Sequence, residues 1–204
     1  MRLYRPVTVL VGVVLVLMSG IARLGEPKQV MEDVTWVTKR GTMNQPLQAK
    51  DCTITVVRVS AYRGYDPRPD DTDDDADPED KPRKTDGVFV LVTFEVEGRH
   101  QKGSAGSATL QSDSGTVYEP VSKLIRSTVD IPPPGFVQTT DLLFEVNPAD
   151  LAGLTFRVRV GRVITTTAEE YVFDLGLPDQ AAADEFTGRA AKMYYDQDPI
   201  VRIR

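Results

Sequence analysis

Apolar positions fall into two unlike patterns along the chain. Val7 to Ala22, VTVLVGVVLVLMSGIA, is an unbroken apolar run in which only Thr8 and Ser19 are polar. From residue 51 onward the pattern is alternation at period two, the mark of half-buried strands. Gly87–Gly98 is the clearest case: Val88, Val90, Val92, Phe94 and Val96 share one face. Thr93, Glu95 and Glu97 face away over its second half. Leu154–Val160 sets Leu154, Phe156, Val158 and Val160 against Thr155, Arg157 and Arg159. Phe136–Val146 aligns Leu142, Phe144 and Val146, and Tyr171–Leu177 aligns Tyr171, Phe173, Leu175 and Leu177. In Asp51–Tyr62 the phase changes, with Ile54 and Val56 pointing one way and Val57 and Val59 the other. That change predicts a bulge or a strand covered on both faces.

Turn chemistry separates these segments. Ser112-Asp-Ser-Gly115 predicts a hairpin between Ser107–Gln111 and Thr116–Glu119. Ile131-Pro-Pro-Pro-Gly135 predicts a stiff turn, because three successive prolines cannot join a ladder. Gly103–Gly106 reads as a flexible turn, and Val34–Thr38 as a short strand. Seven to nine short strands with almost no helix between them predict an all-β, Ig-like antiparallel β-sandwich. One helix is expected near the end, where Ala182, Phe186, Ala190 and Met193 form a stripe. Asp184 and Glu185 precede Arg189 and Lys192, the order the helix dipole favours. Gly188 weakens that helix by about 1 kcal/mol relative to Ala. Pro199–Arg204 is expected as a last edge strand or a tail.

At 1.5 Å per residue the sixteen residues of the apolar run span about 24 Å as a helix, against a hydrocarbon core of ~30 Å. Leu3, Tyr4 and Leu24 can extend it, and Arg2, Arg5 and Arg23 can reach the interface. The run has no polar face, so a buried soluble helix does not fit. A retained anchor presenting Val7, Val11, Val14, Leu17 and Ile21 to lipid is the adopted reading. A cleaved signal peptide, with Gly20 and Ala22 before the cut, is the alternative. Either way the basic N-terminus stays cytoplasmic and the remainder is extracytoplasmic. The expected organisation is a membrane anchor at 1–23, a juxtamembrane stalk at 24–46, the sandwich at 47–177 and a helix with tail at 178–204.

The sandwich segments resemble the bacterial immunoprotective-type Ig-like extracellular domain of small lipoproteins and membrane-anchored proteins. The likeness rests on Thr53–Val59, Gly87–Glu97, Thr109–Tyr118, Pro134-Gly135 through Val146, and Leu154–Val160. It departs at Glu97-Gly98, where the family pattern has an Asn, and in an apolar helix taking the place of a lipid anchor. The resemblance implies an extracytoplasmic, non-catalytic sandwich. The family carries no agreed catalytic or binding residues, so none are transferred.

Charge and composition narrow the function classes. The net charge of -6 argues against nucleic-acid binding. A single cysteine, Cys52, rules out an intramolecular disulfide framework and reads as a small buried residue. The single histidine, His100, has no triad signature around it and reads as a loop residue. The single tryptophan, Trp36, reads as cover for one edge of the core. No enzyme, cofactor or small-molecule substrate is expected.

Two kinds of partner chemistry remain. Asp66–Asp86, within an acidic loop expected at 64–86, holds ten acids and four bases, so its net equals that of the whole chain. Asp71, Asp73 and Asp75 have the opening spacing of an EF-hand loop, but Ala76 replaces the needed Gly and Pro82 the bidentate Glu. Composition favours a solvated, disordered insertion; a weak divalent-cation module using Asp70–Asp80 is the alternative function. The other chemistry is contact with a protein through Phe186, Met193, Tyr194 and Tyr195, or through an open edge at Ile200–Ile203. The expected function is a single-pass, membrane-anchored binding or accessory subunit. In a Ca²⁺ titration followed by amide NMR, residues 66–86 should keep random-coil shifts at several millimolar cation. Saturable shifts there would favour the cation module.

Overall fold

The alternating segments pair into two sheets. The computed structural model describes residues 35–67, 82–100, 102–121, 128–160 and 167–204, and Trp36–Arg204 forms one compact unit. The strands are β1 (Thr35–Thr42), β2 (Leu47–Gln48), β3 (Cys52–Asp66), β4 (Arg83–Gly98), β5 (Gly103–Gln111) and β6 (Val117–Tyr118). They continue as β7 (Thr128–Ile131), β8 (Phe136–Val146), β9 (Thr155–Val160), β10 (Thr167–Asp174), β11 (Tyr194–Tyr195) and β12 (Ile200–Ile203). A helix, α1 (Gln180–Gly188), lies between β10 and β11. The first sheet runs β1-β10-β9-β5-β6, with β7 also beside β5. The second runs β11-β3-β4-β8-β12, with β2 also beside β3. The described residues form a β-sandwich with one α-helix.

The period-two pattern explains the core. Val88, Val90, Val92, Phe94 and Val96 of β4 are all buried, as are Leu142, Phe144 and Val146 of β8. From the first sheet come Phe156 and Val158 of β9 and Tyr171 and Phe173 of β10. Phe156 is the joint between the sheets: its ring lies 5.3 Å from Phe94 and 6.3 Å from Phe144 across the interface. It lies 6.4 Å from Phe173 beside it in its own sheet. The predicted change of phase in β3 is a bulge. Val56 pairs with Phe94 and Arg58 with Thr93, which leaves Val57 as the extra residue. After it Val59 and Ala61 return to the core side.

Several elements differ from the sequence reading. The short strand expected at Val34–Thr38 is present as β1, Thr35–Thr42, but it belongs to the first sheet and not to a stalk. Gly103–Gly106 is the start of β5 and not a turn; it pairs with β7, a strand the pattern did not predict, through a bulge between Ser104 and Gly106. The helix is shorter than its apolar stripe. The Asp179 side chain caps it by accepting from Ala182 N at 2.9 Å, and it ends at Gly188. Ala190 and Met193 therefore leave the helix, and Tyr194–Tyr195 forms a strand. That strand runs parallel to β3, so the second sheet is not wholly antiparallel. No helix among the described residues is long and apolar enough to cross a membrane. The run containing Val7, Val11, Val14, Leu17 and Ile21 lies outside the described residues.

The proline turn after β7 closes over the end of β4. A Cβ at Gly98 would collide with the Pro132 and Pro133 carbonyl oxygens, whereas one at Gly188 would meet nothing within 4 Å. Gly98→Ala should therefore cost about 3 kcal/mol or more, since backbone must move. Gly188→Ala should leave stability unchanged or raise it by up to ~1 kcal/mol. Chemical denaturation of the two variants checks the contrast.

Candidate functional site

β4 is apolar on both faces over part of its length. Phe89 and Leu91 point away from the main core yet are almost fully buried. With Tyr65 of β3, Leu143 of β8 and Tyr194 they form a second cluster on the outer face of the second sheet, with Tyr62 packed against it. A sheet face this apolar needs cover, because burying each large side chain is worth about 1.5–3 kcal/mol. The segment after α1 supplies it.

Backbone hydrogen bonds fix that segment along β3. Ala191 N donates to Ala61 O at 3.0 Å, Arg63 N to Ala191 O at 2.9 Å, and Asp196 N to Asp66 O at 3.1 Å. The Tyr194 ring then lies 5.4 Å from Tyr62 and 6.2 Å from Tyr65. Gly64 lets the Met193 thioether approach closely: a Cβ there would stand 2.9 Å from the sulfur. From Tyr195 the chain crosses to the opposite edge of the same sheet and pairs as β12 with β8.

This crossing leaves a hollow of about 150 Å³ on the outer face. Tyr62, Leu91, Met193, Tyr194 and Tyr195 line it, and Arg58, Asp141 and Gln197 add polar groups. Thr93 Oγ1 donates to Asp141 Oδ1 at 2.6 Å, and Tyr194 OH donates to Oδ2 at 3.4 Å. Burial, with the Asp141 charge beside it, pushes the Tyr194 phenol well above its ordinary range. Tyr195, 51% exposed, is the accessible aromatic of the group. The arrangement can receive one side chain, with aromatic surface on several sides and a cation and an anion to orient it.

The structure thus gathers three of the four sequence candidates. Met193, Tyr194 and Tyr195 meet at the hollow, with Tyr194 given over to packing. Phe186 is elsewhere, half-buried on α1 against the main core. Sequence reasoning missed Tyr62, Arg58 and Asp141. The available signal was the apolar pair Phe89 and Leu91 on the supposedly polar face of β4.

The remaining candidates are placed as follows. Asp71, Asp73 and Asp75 lie outside the described residues, as does the Trp36 side chain. Among the described residues no group of three or more His, Cys, Asp or Glu could hold a metal ion. His100 is exposed just beyond β4. Cys52 is fully buried, and burial, with Asp51 and Glu169 nearby, pushes its thiol up to about 12. Nearby, Lys39 Nζ donates to Gln48 O at 2.8 Å and to Glu169 at 3.2 Å, and stands 5.4 Å from the Tyr171 ring centre. Two larger hollows, about 510 and 540 Å³, have charged linings. One carboxylate in each serves local structure: Asp174 accepts from Gly176 N at 2.8 Å and Glu145 from Thr85 Oγ1 at 2.5 Å.

Together these features define a β-sandwich domain with an aromatic side-chain pocket built by its C-terminal segment. Among solved structures, the chain is similar to the yjhA protein of Bacillus subtilis, at 10% identity and TM-score 0.47, over 66% of this chain and 99% of that one. It is similar to an uncharacterized β-sandwich protein of Clostridium difficile 630, at 10% identity and TM-score 0.39, over 73% and 99%. It is also similar to the secreted protein MPT63 of Mycobacterium tuberculosis, at 12% identity and TM-score 0.42, over 68% and 98%. No protein-family model matches the chain, and no curated protein matches it.

The buried acids set an alkaline limit. An unfolded thiol releases its proton near 9.0, whereas folded Cys52 holds it to about 12. Between these values the unfolded state binds fewer protons, so stability falls as pH rises. The raised phenols of Tyr171 and Tyr194 act in the same direction. Urea midpoints should be flat from pH 7 to 9 and decline above it. Cys52 should also resist iodoacetamide at pH 8 until the protein is unfolded.

Proposed function

We propose that this chain is a membrane-tethered, extracytoplasmic β-sandwich that serves as a non-catalytic binding or accessory subunit of a membrane or cell-envelope protein complex. In this reading the sandwich is of the Ig-like immunoprotective type that its strand segments resemble, and Val7–Ala22 is the tether. The hollow beside Tyr195 carries the proposal. At about 150 Å³ it lies below the ~300–1,000 Å³ of small-molecule sites and suits a single anchoring side chain. Its makeup favours a protein partner: tyrosines and an arginine around a small pocket are the usual composition of an interface hot spot.

Full-length protein purified in mild detergent tests it. Tyr195→Ala should keep the wild-type melting temperature, because that ring is half exposed, and should lose the co-purifying envelope protein. Tyr195→Phe should retain it. An unchanged set of co-purifying proteins with Tyr195→Ala would sink the reading. N-terminal sequencing of the mature protein tests the tether separately: Met1 or Arg2 supports it, and a start at Arg23 makes the domain secreted.

A further inference from the structure

Strand β12 is an end strand with exposed apolar side chains. It closes one end of the second sheet and pairs with β8. Proteins blunt such edges with short strands, charge, proline or bulges. At the other three sheet ends β6 and β11 are two residues long, and β1 carries Lys39 and Arg40. β12 is short as well, with Pro199 before it and Arg202 within it, yet its other three side chains are apolar and exposed. Ile200, Val201 and Ile203 are 63%, 52% and 78% exposed. Its one charged residue is turned back over its own sheet, where Arg202 bonds Glu95 at 2.6 Å. Arg204, just beyond it, bonds Glu97 at 2.7 Å.

We propose that β12 pairs antiparallel with β12 of a second copy of this chain, across a two-fold axis normal to the sheet. The occupant follows from three properties of the edge. An antiparallel ladder is self-complementary about such an axis, so one strand supplies both halves of the hydrogen-bond pattern. The side chains also fit one register. Opposed residues must share a face, so the axis passes through a residue. With Arg202 on the axis, Val201 meets the partner's Ile203 and Ile203 meets the partner's Val201, which covers both apolar side chains of that face. With Val201 on the axis, Ile203 would meet proline; Ile200 faces an arginine in either register, so the pairing of Val201 with Ile203 decides between them. Charge permits the approach as well. Each Arg202 at the axis keeps its own Glu95, and the chain's net charge is accounted for by residues 66–86, leaving the rest neutral. The joined sheets form one continuous sheet.

The buried Cys52 makes a direct test practical, since an introduced cysteine is the only accessible thiol. Opposed Cα atoms in such a ladder stand about 5 Å apart, within disulfide reach. Under mild oxidation in detergent, full-length Arg202→Cys should form a disulfide dimer at least tenfold faster than Asp130→Cys, at the exposed position of β7. A mixture of Val201→Cys and Ile203→Cys proteins should give mixed dimers in preference to either homodimer, with Arg202 intact. Adding Val201→Lys and Ile203→Lys to Arg202→Cys should return its rate to that of Asp130→Cys while the thermal melt stays unchanged. Equal rates at 202 and 130, no preference for mixed dimers, or an adduct of Arg202→Cys with a different polypeptide would each overturn self-pairing.

Discussion

Strand β4 needs apolar partners on both of its faces. Val88, Val90 and Val92 point into the space between the sheets, while Phe89 and Leu91 point out of it. A two-layer sandwich satisfies only the first set. A third layer must cover the second, and the chain meets that requirement with its own C-terminal segment. The features beyond the basic sandwich follow from this need. Tyr194 packs between Tyr62 and Tyr65, β11 extends the sheet along β3, and the chain must then cross the sheet to reach β8. The hollow beside Tyr195 is left where the crossing segment does not fill the face, and β12 ends as an open edge because the crossing finishes there.

Much of the sandwich was legible in the sequence, for a physical reason. Inward-facing positions of β9 alternate cleanly because their outer neighbours are polar: Thr155, Arg157 and Arg159 leave no doubt of the period. The bulge at Val57 was visible as a change of phase. The IPPPG turn was visible because proline cannot enter a ladder. Elements with weak patterns were missed. β7 is four residues, too short for the alternation of Val129 and Ile131 with Asp130 to stand out. Gly103–Gly106 looks like a turn because its strand pairing comes from β7 and not from its own side chains. The helix was read too long because Ala190 and Met193 continue its spacing by coincidence, while the segment's backbone hydrogen bonds go to β3.

The site was less legible than the fold. Tyr194 and Tyr195 were found as aromatics near the C-terminus, but the residues they meet lie over fifty positions away or more in sequence. Asp141 and Tyr62 carry no local signal; only the register of β3, β4 and β8 brings them to one surface. The phase of β4 held the usable hint. Its polar face is polar only from Thr93 onward, and Phe89 and Leu91 before it mark a face that something else must cover. The proposed binding role therefore depends on packing: the same segment that completes the second cluster also shapes the pocket offered to a partner.

Hydrogen exchange of the native protein tests the third layer most directly. If the C-terminal segment is a packed part of the fold, the amides of Ala191 and Asp196, bonded to Ala61 and Asp66, exchange with protection close to that of β4. The amides of β12 bonded to β8 follow. Exchange of residues 190–203 at unprotected rates, while β4 and β8 remain protected, would contradict the account, because Phe89, Leu91 and Leu143 would then lose the cover of Tyr194 and the pocket the walls that Met193, Tyr194 and Tyr195 supply.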